Sequence, residues 1–210
     1  MVTRIAHLLG WIMLSTVLVP LLSDPATDAR APAPLRPLRM RTYRFTARIK
    51  NNAGITPLKV GALIKGKFTY DLDGEKLRLP VNLPDCARYQ SKHNTLVFQC
   101  GDLRFSATGR IWSSVSMFGY AEHFEVAAFD LQLPKGWEMD HRGPSQSYTV
   151  VFQNAPARKV IRSTQLPKHL SLSDFVDTRE LRLDFCNGVR FPGGQVKGRA
   201  TVHAIVESLE

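Results

Sequence analysis

The chain has 210 residues, of which 44% are hydrophobic and 22% charged, a globular balance that excludes wholesale disorder, a collagen-like fibre and a multi-span membrane protein. At roughly 100–200 residues per domain there is room for one domain, or for two small ones. The net charge is +10, and the excess is local: no acid lies between Asp28 and Asp71, a gap that holds Arg30, Arg36, Arg39, Arg41, Arg44, Arg48, Lys50, Lys59, Lys65 and Lys67.

Met1-Val-Thr-Arg4 opens the chain, followed by an apolar run from Ile5 to Leu22 that only His7, Ser15 and Thr16 interrupt. A positive start, an apolar stretch and small residues beyond it (Ala26, Ala29, Ala31) describe a secretory signal over residues 1–30. The rival is an uncleaved N-terminal anchor through residues 5–22, the low end of what spans a bilayer. Either way the remainder is expected outside the cytoplasm, secreted or in the cell envelope. Residues 31–40, with alternating prolines and Arg36 and Arg39, read as an extended basic tether.

Residues 41–210 read as one β domain. Tyr43, Phe45, Ala47 and Ile49 alternate with Arg44, Arg48 and Lys50, the period of a half-buried strand with a basic outer face. Ala62, Ile64, Gly66, Phe68 and Tyr70 make a second such face, with Lys65 and Lys67 opposite, and Asp71-Leu-Asp-Gly74 turns the chain. Thr95–Cys100 and Leu103–Ala107 are strands split by Gly101-Asp102. His123 to Leu133 alternates and slips at Phe129, the mark of a bulge. Tyr148–Phe152, Leu181–Phe185 and a long strand from Val196 to Val206 complete the set, and Leu170–Phe175 has room for one helical turn. Roughly ten short strands and little helix predict an all-β fold, a single antiparallel jelly-roll-like β-sandwich.

Thr42-Tyr-Arg-Phe-Thr-Ala47, Val60-Gly61, Gly66-Lys-Phe-Thr-Tyr-Asp71, Leu166-Pro-Lys-His-Leu-Ser-Leu172, Leu181-Arg-Leu-Asp-Phe185 and Gly194-Gln-Val-Lys-Gly198 together resemble exported bacterial β-sandwich proteins. Many of those carry a C-terminal PEP-type sorting signal. The Val-Pro-Glu-Pro motif of that signal is not in the sequence. The resemblance implies export and a β-fold, and no chemistry.

In an oxidising compartment Cys86 and Cys100, flanking a stretch that ends in a strand, are expected to form a hairpin-bridging disulfide, leaving Cys186 odd, either free or the partner of Cys86 or Cys100 instead. Asp71, Asp73 and Glu75 around Gly74 offer oxygen ligands of the calcium type, but lack the full loop and read as a plain Asp-Gly hairpin turn. His123 and Glu125 share one strand face and read as a surface charge pair. Ser113, Ser114 and Ser116 form no nucleophile elbow, and His-Glu-x-x-His, Gly-x-Gly-x-x-Gly and the P-loop do not occur. No cofactor, no metal and no catalytic residue is expected. Trp112, Tyr120 and Trp137 are candidates for stacking on sugar rings, against core filling.

Arg44, Arg48, Lys65 and Lys67 point away from the apolar face on two consecutive strands, and Arg199 extends the patch if the terminal strands are neighbours. That basic face predicts an acidic polysaccharide or an anionic surface as partner. Nucleic acid is disfavoured, since no recognition helix or aromatic RNA-binding motif occurs. The expected function is an exported, non-enzymatic binding or structural module; the alternative is a secreted hydrolase acting on polysaccharide.

Overall fold

The computed structural model describes residues 37–79, 85–107, 111–118, 121–129, 131–139, 147–154, 160–161 and 163–210. The expected export signal, most of the tether, and Tyr120 lie outside the described residues.

Aromatic and branched side chains at every second position make the chain a succession of antiparallel strands: β1 (Met40–Asn52), β2 (Leu63–Asp71), β3 (Glu75–Lys76), β4 (Cys86–Gln90), β5 (Thr95–Cys100), β6 (Leu103–Ala107), β7 (Ile111–Phe118), β8 (Ala121–Ala128), β9 (Leu131–Gln132), β10 (Glu138–Met139), β11 (Ser147–Asn154), β12 (Thr178–Phe185), β13 (Gly188–Phe191), β14 (Gly194–Lys197) and β15 (Ala200–Leu209). Twelve join one sheet in the order β3-β4-β7-β8-β11-β12-β15-β1-β2-β5-β6-β9, and β10, β13 and β14 form a small second sheet.

The large sheet curls so that its two arms face each other across the core. Phe68 on β2 lies 6.2 Å from Phe152 on β11, Tyr70 on β2 lies 5.3 Å from Phe124 on β8, and Phe98 on β5 meets Tyr148 on β11 edge-on at 5.1 Å. These ring pairs pull non-adjacent strands together, because each buries a large apolar area and adds a geometry-dependent attraction of about 0.5–1.5 kcal/mol. The all-β expectation holds. The strands form one continuous curled sheet plus a small one, where two separate sheets of about ten strands were expected.

The small sheet packs at the β6 side of the core. Trp137 stands edge-on to Phe105 at 5.6 Å and lies 5.3 Å from Phe191. Residues 160–161 and 163–177, with one 3-10 turn at Leu172–Asp174, are laced to the strand ends by polar side chains. Leu170 N–H donates to the Tyr43 hydroxyl at 2.9 Å, the Tyr70 hydroxyl donates to the Pro167 carbonyl at 2.6 Å, and the Tyr89 hydroxyl donates to the Thr164 carbonyl at 3.0 Å. The buried Glu122 carboxylate accepts from the Val160 and Ile161 amides, and the Asn154 side-chain oxygen accepts from Val176 N–H.

Three sequence expectations change. The slip at Phe129 is a strand break, not a bulge: β8 ends at Ala128, Phe129 packs at a tilt against Trp112 with ring centroids 4.5 Å apart, and β9 pairs with β6 on the other arm. The strand expected from Val196 to Val206 is two strands, because Gly198 takes a φ of +76° and turns the chain between β14 and β15. Cys86, Cys100 and Cys186 are free thiols, so the expected Cys86–Cys100 bond is not formed. Cys86 is on β4, whose neighbours are β3 and β7, and Cys100 is on β5, between β2 and β6. The two strands follow each other in sequence without forming a hairpin, and a disulfide needs paired, converging Cβ positions.

Candidate functional site: a cationic groove on the outer sheet face

The residue pattern that drives β1 and β2 inward drives their cations outward. Arg44, Lys65 and Lys67 are exposed, while Tyr43, Phe45, Ile64 and Phe68 between them are buried. Antiparallel pairing sets Arg44 directly opposite Lys67 and Thr46 opposite Lys65. The next two strands continue the rows. Lys65 faces Gln99 on β5, Gln99 faces Arg104 on β6, and Lys67 faces Val97. Arg44, Lys65, Lys67, Val97, Gln99 and Arg104 line an open groove of about 350 Å³.

No carboxylate pairs with Arg44, Lys65, Lys67 or Arg104 among the described residues. Three arginines elsewhere contrast with them. Arg48 is held by Glu207 (Nε–Oε1 2.8 Å, Nη2–Oε2 3.2 Å) and also donates to the Gly61 carbonyl. Arg39 meets Asp73 at 3.2 Å, and Arg182 meets Glu180 at 3.1 Å. Like charges directly opposite on neighbouring strands are destabilising, so the Arg44–Lys67 pair and its two flanking cations concentrate positive charge over one shallow concavity, with Glu210 opposite Arg44 on the β15 side.

Of the sequence-derived cations, the structure brings Arg44, Lys65 and Lys67 together and leaves two out. Arg48 is on the same face but neutralised by Glu207. Arg199 does not extend the patch, although β1 and β15 are neighbours as supposed. Antiparallel pairing sets Leu209 beside Phe45 and Val202 beside Asn52, so Arg199 is about ten residues, or ~30 Å of strand, from the groove. It lies instead 3.6 Å from Asp184. Arg104 was missed. Its signal was the outward parity between Leu103 and Phe105, obscured because Arg104 falls outside the acid-free gap.

The two aromatic candidates among the described residues, Trp112 and Trp137, are occupied. Trp137 is 6% exposed and fills the core between Phe105 and Phe191. Trp112 carries the Arg88 guanidinium 4.3 Å above its ring and Phe129 against it, which leaves little face for a sugar. Asp71, Asp73 and Gly74 form a turn but not the expected hairpin, since β2 pairs with β1 and β5 and β3 pairs with β4: Gly74 N–H donates to the Asp71 carbonyl, and the Asp71 carboxylate accepts from Asp73 N–H and the Ser91 hydroxyl. No group of three or more His, Cys, Asp or Glu side chains suited to a metal occurs among the described residues.

His123 and Glu125 pair as expected, Nε2 to Oε2 at 3.1 Å, and the Ser114 hydroxyl donates to the other Glu125 oxygen at 2.9 Å. Burial pushes the Glu125 carboxyl up, but the His123 and Ser114 hydrogen bonds and the nearby Arg88 charge outweigh it and hold the carboxyl below its ordinary value. Its stabilisation is therefore present above the ordinary carboxylate pKa of about 4.3 and is lost as the pH falls through the lower folded value. Glu125→Gln is expected to be less stable than the parent at neutral pH, with the gap closing on acidification below about pH 4, as read from thermal melts across that range. Both serine and imidazole bond to the one carboxylate, so the imidazole is not placed to take the serine proton, and the cluster is a structural pair.

No family model, no curated protein and no solved structure matches the chain.

Proposed function

We propose that the protein is an exported, non-enzymatic β module that binds an anionic ligand through the outer face of β1, β2, β5 and β6. The observation that carries this reading is the convergence of Arg44, Lys65, Lys67 and Arg104, none with a carboxylate partner among the described residues, on one open groove. An anion there relieves the cross-strand repulsion that the fold otherwise bears. Export is supported by the positive-apolar-small pattern of the first thirty residues and by the resemblance to exported bacterial β-sandwich proteins. The curled sheet, with its two arms packed over an aromatic core, serves as a sandwich-like scaffold that holds the groove rigid.

The test is charge reversal. Arg44, Lys65, Lys67 and Arg104 are each changed to Glu, singly and together, and retention on immobilised heparin is read against salt. Each exposed ion pair contributes about 0.2–1 kcal/mol, so a single change is expected to weaken binding by less than about tenfold. The quadruple variant is expected to elute without retention at physiological salt, where the screening length is about 8 Å, while keeping the parent's circular dichroism. Arg48→Gln is the control and is expected to bind as the parent does. Unchanged retention of the quadruple variant overturns the reading.

A further inference from the structure

The groove has a direction that a simple basic patch lacks. Its floor is the outer face of β5, presenting Val97 and Gln99. One bank is β2, with Lys65 and Lys67 two residues apart and Arg44 behind them on β1. The other bank is β6, with Arg104. The register Lys65–Gln99–Arg104 runs across three adjacent strands, so the two cations stand about 10 Å apart, two strand spacings, with the amide between them. Along β2 the two lysines are separated by about 7 Å, two residues of extended chain. Cations on both banks therefore face a line that follows β5.

Gln99 is exposed, and its side chain makes no hydrogen bond among the described residues. A carboxamide both donates and accepts. Phosphate and sulfate oxygens use only the donor, whereas a sugar hydroxyl uses either. Val97 adds an apolar spot against which the C–H face of a sugar ring can rest. At about 350 Å³ the groove is near the small end of ligand sites, roughly 300–1,000 Å³, and it is open, so a chain can run beyond it. A bilayer is flat and would leave the floor unfilled. A compact anion would engage one bank and leave the other unpaired.

We infer that the ligand is an acidic polysaccharide laid lengthwise along β5, its carboxylate or sulfate groups held by Lys65 and Lys67 on one side and Arg104 on the other, with Gln99 reading a hydroxyl between them. This rests on the anion-binding reading above and makes Gln99 a specificity-determining residue.

Calorimetric titration of the full chain tests it, with four probes: tetragalacturonate, a sulfated dextran oligosaccharide, tripolyphosphate, and vesicles of mixed phosphatidylglycerol and phosphatidylcholine. Binding of either sugar probe supports the inference, and which one binds more tightly identifies carboxylate or sulfate as the recognised group. Gln99→Leu is expected to weaken the sugar probe by about two- to tenfold, the worth of one hydrogen bond, and to change tripolyphosphate by less than about twofold. Lys65→Glu with Lys67→Glu is expected to weaken all anions together. If tripolyphosphate binds as tightly as the sugars and Gln99→Leu changes neither, the glycan assignment falls while the anion reading stands. Vesicle binding without sugar binding overturns it in favour of lipid. If no probe binds, both readings fall.

Discussion

Gly66→Val is expected to destabilise the domain by about 3 kcal/mol, at or above the top of the usual overpacking range. A Cβ at Gly66 would stand 2.4 Å from Phe45 Cζ and 2.8 Å from Phe98 Cβ, both inside contact distance. The Phe45 ring lies across the glycine and is 2% exposed, so it has no solvent to move into. The Phe98 Cβ is fixed to its backbone and cannot give. For a domain of this size about 1 kcal/mol corresponds to about 2–4 °C, so the melting temperature is expected to fall by roughly 10 °C. Lys65→Ala and Lys67→Ala, one residue to either side, are expected to stay within about 0.5 kcal/mol of the parent, as surface changes do. A Gly66→Val protein that melts with the parent would mean that the strand is not packed in this register.

Phe68→Ala is expected to cost about 3–5 kcal/mol, the range for emptying a buried phenylalanine site. Phe68 is fully buried and stacks on Tyr43 at 5.4 Å, lies near Phe45 and Tyr70, and reaches Phe152 across the core. The cavity therefore loosens both arms of the curled sheet at once. Urea unfolding followed by tryptophan fluorescence should show a lower midpoint. Groove binding at low denaturant is expected to survive in the fraction that stays folded, because Phe68 and the cations occupy opposite faces of β2. A midpoint within error of the parent's would contradict the ring-to-ring closure.

Much of β1 and β2 was legible because period-two alternation decides both the strand and its face: Arg44, Lys65 and Lys67 point outward as the pattern requires. Where the sequence misled, a long-range contact or a turn overrode local pattern. Phe129 fits a continuing strand, yet the Trp112 ring captures it and the chain crosses to the other arm. Gly198 fits an inward strand position, yet its backbone turns. The Cys86–Cys100 pairing assumed that strands adjacent in sequence pair in space, and β4 and β5 do not. Half of the groove could be read from the charge gap. The other half could not, because nothing local says that β5 and β6 follow β2 in the sheet and deliver Gln99 and Arg104 to the same floor.

The place of β15 governs how the molecule comes to exist. It lies between β12 and β1 and is hydrogen-bonded to both, so β1 must wait for a partner some 160 residues downstream (Thr46 beside Ser208). Pairings of such high sequence separation are slow to find, because the loop entropy is lost before the contacts return it. Until β15 takes its place, the facing edges of β12 and β1 lack the strand they share, even where aromatic rings already meet across the core. Closure of the continuous sheet is therefore expected to be a late and slow step of folding, with β15 as the strand that completes it.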